Sequence, residues 1–246
     1  MLAAERSANW LALMAFLSIS LAACAGRGGD GGRSDSGTSA TPIDSTPVNF
    51  LALGDSYTIG ESVPEPERWP VQLGELLRER GVNVQSVQIV ARTGWTTDEL
   101  AAGIAERRPE GSFELVSLLI GVNNQYRGRD AVEYRVQFRE RLEQAIEFAG
   151  GDAERVIVLS IPDWGVMPFA EGRDRDQIAT EIDAFNAINR EEAQRAGAWY
   201  VDVTPVSREA ARDSSLVAGD GLHPSGAQYT RWARLALPAA LTALGR

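Results

Sequence analysis

Lysine is missing from residues 48–246, so every permanently positive side chain there is an arginine. The whole chain of 246 residues has one histidine, one cysteine and a formal charge of -10. A single cysteine excludes an intrachain disulfide. One histidine and one cysteine would leave a zinc site to be built mostly of carboxylates, an unusual donor set for that ion. The acidic balance disfavours binding to a phosphate backbone, so no nucleic-acid partner is expected. The G-x-S-x-G elbow of the common lipase-type hydrolases does not occur. The apolar run over residues 10–21 is 12 residues long, too short to cross about 30 Å of hydrocarbon as a helix.

What is present begins with that run. Its place near the N-terminus, behind a single arginine, makes it a signal-peptide core over residues 1–23. It ends in Leu21-Ala22-Ala23-Cys24, which resembles a bacterial lipobox. The alternative is an ordinary cleavage site beside a chance cysteine. The resemblance implies cleavage before Cys24, lipid on its thiol and a membrane partner, with the folded domain outside the cytoplasm at the cell envelope. Several acyl chains hold far more firmly than one. Ala25, rather than Asp, follows the cysteine, and by resemblance to enterobacterial lipoproteins this permits outer-membrane sorting.

Residues 24–47 are rich in Gly, Ser, Thr, Asp and Pro and have little to bury, so a disordered tether is expected. A flexible chain of this size spans about 25–30 Å. Gly26, Gly28 and Gly31 match G-x-G-x-x-G. Neither a strand before them nor a helix after them is expected, so a dinucleotide site fails its context.

Residues 48–246 are a comfortable size for one domain, and a monomer is the expectation. Short apolar or alternating runs at 48–53, 82–91, 114–121, 155–161 and 198–203 read as strands. Helical spacing recurs at 69–80, 97–107, 131–149, 175–196 and 226–243, with Thr96 or Thr97 as a cap for the second. Five alternations predict an α/β fold, a parallel sheet sandwiched between helices, with right-handed crossovers. Chemistry in such folds gathers beyond the C-terminal strand ends. Four polar or glycine-rich segments fall there: GDSYTIG, ARTGWTT, GVNNQYRG and AGDGLHPSG.

His223, the only histidine, sits between Leu222 and Pro224, three residues after Asp220. A surface or capping histidine is the plain alternative. A carboxylate that fixes one ring nitrogen leaves the other free to take a proton, and a serine nucleophile needs that partner. Ser56, at the exit of the first strand, is the candidate nucleophile; the alternative is an N-cap serine. Gly54 is expected to allow a sharp turn there. Asp55 is expected to hold the turn by accepting backbone hydrogen bonds.

These blocks together resemble the SGNH hydrolase family, also called GDSL esterases and lipases. Gly54-Asp55-Ser56-Tyr57 resembles its first block, with Tyr57 where many members have Leu. Gly94 resembles the second-block glycine, Gly121-Val122-Asn123-Asn124 the third block and Asp220-Gly221-Leu222-His223-Pro224 the last. The resemblance implies a flavodoxin-like three-layer α/β/α fold with five parallel strands. It implies Ser56 as nucleophile, His223 as base and Asp220 as its support. The backbone N–H groups of Ser56 and Gly94 and the amide of Asn123 form the implied oxyanion hole, with no metal or cofactor. The third block is usually Gly-x-Asn-Asp, and Asn124 departs from it; a supporting role for this position is expected.

No long lid segment is evident, so a small or soluble acyl ester is expected rather than a triglyceride droplet, with lysophospholipids, thioesters and acetylated sugars left open. The run 60–69 is expected to form an acidic rim. Trp164, Met167 and Phe169 form either an apolar wall or core packing. Trp95, Tyr126 and Arg127 are candidates for recognising a sugar, which a carbohydrate O-acetylesterase would need. A non-catalytic lipoprotein that binds a glycan or a protein would lack Ser56 or His223, and both are present.

Overall fold

The computed structural model describes residues 46–246. Cys24, the leader and most of the tether therefore lie outside the described residues. Five strands form one parallel sheet: β1 (Val48–Gly54), β2 (Val84–Ala91), β3 (Leu115–Leu119), β4 (Val156–Leu159) and β5 (Trp199–Val201). The strand order is β2-β1-β3-β4-β5, the flavodoxin-like order, with the chain reversing its direction of travel beside β1. β1, β3 and β4 are covered on both faces, and Phe50 to Leu53 are fully buried. Such runs read as continuous hydrophobics because neither face meets water.

Among the described residues eight α-helices accompany the strands: α1 (Ser56–Ile59), α2 (Trp69–Glu79), α3 (Thr97–Arg107), α4 (Val122–Tyr126), α5 (Ala131–Phe148), α6 (Arg175–Ala196), α7 (Thr204–Ser207) and α8 (Gly226–Ala243). The five long ones coincide with the expected helices to within a residue. α2 packs on α8, while α3, α5 and α6 pack in succession, giving a three-layer α/β/α arrangement. Thr96, not Thr97, caps α3: Glu99 Oε2 accepts from the Thr96 N–H at 2.9 Å, one half of a capping box. Asp130 caps α5, accepting from the N–H groups of Val132 and Glu133.

An ionic clasp joins α5 to α6. The Glu192 carboxylate, 1 % exposed, meets Arg135, Arg139 and Arg195 at 2.8–2.9 Å. Hydrogen bonding from Arg139, against the cost of burial, leads the effects that pull its pKa down to about 2.

Register aligns the functional end of the sheet. Gly54 pairs with Ala91 of β2 and with Leu119 of β3. The chain therefore leaves three adjacent strands at one level. Two residues past the first exit comes Ser56, three past the second Gly94, and four past the third Asn123.

Candidate active site

Gly54 is required by close approach rather than by a left-handed turn. A Cβ there would meet Thr58 Oγ1 at 2.2 Å and the Leu119 carbonyl oxygen at 2.4 Å. Asp55 then caps the single turn α1, its Oδ1 accepting from the Tyr57 N–H at 3.0 Å. Its carboxyl is fully buried, which pushes its pKa up to about 7 despite that hydrogen bond. The expectation that Asp55 holds the turn is met, and it does so as a group that burial drives toward neutrality.

The Ser56 cleft encloses about 190 Å³ and is lined by Ser56, Tyr57, Gly94, Val122, Asn123 and His223, with Tyr126, Trp164 and Phe169 among its other walls. Tyr57, where many members of the resembled family have Leu, is buried. Its ring lies edge-on to His223 at 5.7 Å between centroids and tilts against Trp232 at 6.1 Å. It thus backs the imidazole.

His223 reaches the cleft from the segment before α8. The Ala218 N–H donates to the His223 carbonyl at 2.8 Å, and Val217 and Pro224 form an antiparallel bridge. Gly221, at φ +72°, makes the reversal between them. The short Asp220–His223 spacing closes on itself. Asp220 Oδ1 accepts from the N–H groups of Leu222 and His223, each at 2.9 Å. Its Oδ2 lies 2.6 Å from His223 Nδ1. Burial by itself would raise the Asp220 carboxyl, but these bonds and one from Ser62 outweigh it and hold the carboxyl well below the usual range. An anion at this position makes Nδ1 the donor and leaves Nε2 to accept a proton.

The Gly94 turn, at φ +88°, is gripped from α4. Asn123 Nδ2 donates to the Trp95 carbonyl at 2.9 Å, which fixes one amide hydrogen and leaves the other available. Asn124 is buried and turned away from the cleft. Its Oδ1 accepts from the Thr97 N–H at 3.1 Å and its Nδ2 donates to Thr97 Oγ1 at 2.8 Å. Thr97 Oγ1 in turn donates to Gln137 Oε1. Asn124 thus supports the loop, and an amide suits the position because it must both accept and donate.

Several expectations need correction. Trp95, a candidate for recognising a sugar, does not line the Ser56 cleft. A Cβ on Gly103 of α3 would meet its ring carbon Cη2 at 1.9 Å, so the indole lies across that glycine, with the Arg107 guanidinium 5.6 Å above it. Arg127 is committed to Gly94 and Glu99. Met167 leaves the aromatic pair and packs with Ala210 and Leu216. Tyr126, Trp164 and Phe169 form the wall instead, with the Arg173 guanidinium 5.2–5.3 Å from all three ring centroids. The acidic run 60–69 serves the site directly: Glu61 accepts from Thr93 Oγ1, and Ser62 Oγ donates to Asp220 Oδ2 at 2.7 Å. The Ser62 contact spans 158 residues and had no local signal. Among the described residues no group of three or more His, Cys, Asp or Glu is arranged to hold a metal ion. Among them, too, no helix is long and apolar enough to cross a membrane.

Solved structures share this architecture. TesA superposes with a TM-score of 0.60 at 20% identity, covering 80% of this chain and 99% of that one. A psychrotrophic esterase from Pseudoalteromonas sp., inhibited by monoethylphosphonate, gives 0.60 at 14% identity over 80% of this chain and 99% of its own. An acetylxylan esterase from Geobacillus stearothermophilus gives 0.57 at 20% identity over 84% and 97%. At such identities the likeness speaks for the fold alone. No curated protein matches the sequence. The model of the GDSL-like lipase/acylhydrolase family matches residues 52–231. That match spans well over half of the chain, and all four motif blocks lie within it. The chain therefore belongs to the GDSL-like lipase/acylhydrolase family and is a hydrolytic enzyme.

Proposed function

We propose that this enzyme hydrolyses carboxylic O-esters of short acyl groups, or of lysophospholipid-like substrates, through an acyl-enzyme on Ser56. One observation carries the reading: Ser56, Gly94, Asn123 and His223 line one cleft, and Asp220 holds the far nitrogen of His223 at 2.6 Å. Ser56 Oγ attacks the ester carbon while His223 Nε2 takes its proton. The oxyanion is met by the N–H groups of Ser56 and Gly94 and the free amide hydrogen of Asn123, donors aimed where charge develops. Collapse expels the alcohol, which receives the proton from His223. Water then repeats the sequence on the acyl-enzyme, with His223 again as base. A cleft of about 190 Å³ fits a short acyl group better than a long one.

The test is Ser56→Ala assayed with p-nitrophenyl acetate. Hydrolysis is expected to fall to near background in a folded protein, and a phosphonate probe is expected to label Ser56 in the parent. A mutant with more than about a tenth of the parent kcat would remove Ser56 from the role.

A second reading, a carbohydrate O-acetylesterase, draws on the cleft mouth, where Tyr126 and Phe169 are 46% and 43% exposed. Aromatic faces at a mouth suit a sugar ring, and the acetylxylan esterase from Geobacillus stearothermophilus shares the fold. A much higher kcat/KM for acetylated xylooligosaccharides than for p-nitrophenyl acetate would favour it. Cys24 is proposed as the lipid-bearing first residue of the mature, envelope-bound protein. Intact mass of membrane-extracted protein tests this, and an unmodified thiol would defeat it.

A further inference from the structure

Asn123 and Arg127 stand four residues apart along α4, with Arg127 as its C-cap. Residues at that spacing share a helix face, and these two grip consecutive carbonyls of the opposite turn. Asn123 Nδ2 donates to Trp95 O at 2.9 Å, and an Arg127 terminal nitrogen donates to Gly94 O at 2.6 Å. The other terminal nitrogen of Arg127 meets Glu99 Oε1 at 3.1 Å, while Glu99 Oε2 accepts from the Thr96 N–H at 2.9 Å. Three successive residues, Gly94 to Thr96, are thereby fixed by one connected set of side chains.

Gly94 needs that restraint. At φ +88° it occupies a region in which glycine moves freely, and the direction of its N–H follows from how its two peptide planes are set. Holding the carbonyl on one side of the φ bond limits the swing of the N–H on the other. We propose that Arg127 is the positioning residue of the oxyanion hole: its fork, braced by Glu99, locks the Gly94 turn so that the Gly94 N–H stays aimed at the reacting oxygen. The proposal rests on the reading of Gly94 as an oxyanion donor. It leaves Arg127 no part in binding substrate, because the guanidinium is already engaged on both sides. Lysine cannot replace it, since a single ammonium does not hold a carbonyl and a carboxylate with the geometry of a planar fork.

The experiment compares Arg127→Met, Arg127→Lys and Glu99→Gln with Ser56→Ala on p-nitrophenyl acetate, a neutral substrate with no anionic group for Arg127 to bind. A misaimed donor loses part of what a deleted donor loses, about 10²–10³ in kcat. Arg127→Met is therefore expected to lower kcat roughly tenfold with KM within about twofold. Arg127→Lys should lie closer to Arg127→Met than to the parent, and Glu99→Gln should show a smaller loss in the same direction. The inhibition constant of a short-chain trifluoromethyl ketone, whose addition to Ser56 creates an oxyanion, should rise by the factor by which kcat/KM falls. A purely structural role would leave that proportionality absent. Parent-like kcat in Arg127→Lys and Glu99→Gln, or a change in KM alone, overturns the proposal, and these two decide it if Arg127→Met does not fold. Full activity in Ser56→Ala would instead overturn the underlying esterase reading. An inactive Ser56→Ala beside parent-like Arg127 variants removes only the positioning role.

Discussion

Ser62 Oγ donates to Asp220 Oδ2 at 2.7 Å, on the same oxygen that lies 2.6 Å from His223 Nδ1. Ser62 reaches it from φ +66°, a left-handed conformation for a residue with a Cβ. Such a conformation costs of order 1 kcal/mol and persists where surrounding structure demands it. The cost is offset at the carboxylate, which needs several donors to remain an anion while partly buried. Asp220→Asn is expected to lower kcat by about 10²–10⁴, because an amide at this position holds the wrong imidazole tautomer. Ser62→Ala should lower kcat only a few-fold, since three bonds to Asp220 remain. Ser62→Gly should match Ser62→Ala in rate yet denature later, since it relieves the strained φ. Steady-state kinetics and thermal denaturation of the three variants check this ordering.

Asp55 and Glu192 bend the stability profile in opposite directions. Burial raises Asp55 to about 7. Its contribution is fully present below its unfolded value of about 3.9 and is lost as pH rises through about 7. Glu192 is pulled down to about 2, first by its bond from Arg139. Its contribution is present above an unfolded value of about 4.3 and is lost as pH falls toward 2. Asp55→Asn, which keeps an acceptor for the Tyr57 N–H, should therefore raise Tm more at pH 8 than at pH 4. Glu192→Gln should lower stability by about 1–2 kcal/mol at pH 7, discounted for its half-exposed arginine partners, with the difference shrinking below pH 4. Denaturation of Asp55→Asn at pH 4 and pH 8, and of Glu192→Gln at pH 7 and below pH 4, decides it.

Much of this arrangement is legible in the chain and part of it is not. The long helices declare themselves because a stripe such as Trp69, Leu73 and Leu77 buries one side, and a threonine marks the start of α3. β1, β3 and β4 are legible because burial on both faces leaves them almost wholly apolar, with Asn49 and Ser117 as the exceptions. Strand ends are less so: Ile120 and Gly121 look like strand but leave the sheet, since Gly121 turns at φ +129° where a Cβ would meet Tyr134 Oη at 2.3 Å. α1, α4 and α7, of four or five residues each, are too short to carry a period. The functional blocks are visible because glycines and chemistry-bearing side chains cluster at strand exits. Their partners are not, because Ser62, Arg127 and Glu99 act across contacts that only the packed sheet creates.

Asn124 offers a direct test of a departure from the family pattern. It donates to Thr97 Oγ1 and accepts from the Thr97 N–H. An aspartate keeps the second bond and cannot make the first. The Thr97 hydroxyl would have to turn toward the carboxylate and release Gln137. Asn124→Asp is expected to lose about 1–2 kcal/mol of stability, the scale of one buried hydrogen bond left unmade. Because Asn123 keeps its own contact with Trp95, kcat should stay within about threefold of the parent. Urea denaturation beside steady-state kinetics measures both, and a loss of kcat beyond tenfold would show that Asn124 reaches the oxyanion hole.

On the proposed esterase reading, Phe169, which lines the Ser56 cleft, is the residue expected to set acyl length. Its ring closes the cleft with Tyr126 and Trp164, at centroid distances of 6.4 and 6.1 Å, and it remains 43% exposed while Trp164 is only 3% exposed. Trp164 is fixed, its Nε1 donating to Gln125 Oε1 at 2.8 Å, so Phe169 is the removable part of the wall. Each further methylene that finds an apolar surface contributes about 0.8 kcal/mol, nearly fourfold in a rate ratio. Phe169→Ala opens space that acetate cannot use and hexanoate can. The ratio of kcat/KM for p-nitrophenyl hexanoate to that for p-nitrophenyl acetate is expected to rise about tenfold. Arg173→Ala should move the same ratio less, because the rings survive and lose only a cation worth about 0.5–1 kcal/mol at an exposed site. The Phe169 N–H also donates to the Gly221 carbonyl at 2.9 Å, beside His223. Alanine keeps that backbone bond, so the catalytic loop should not shift. An equal fall for both esters would mean that the ring supports the His223 loop and does not bound the acyl site.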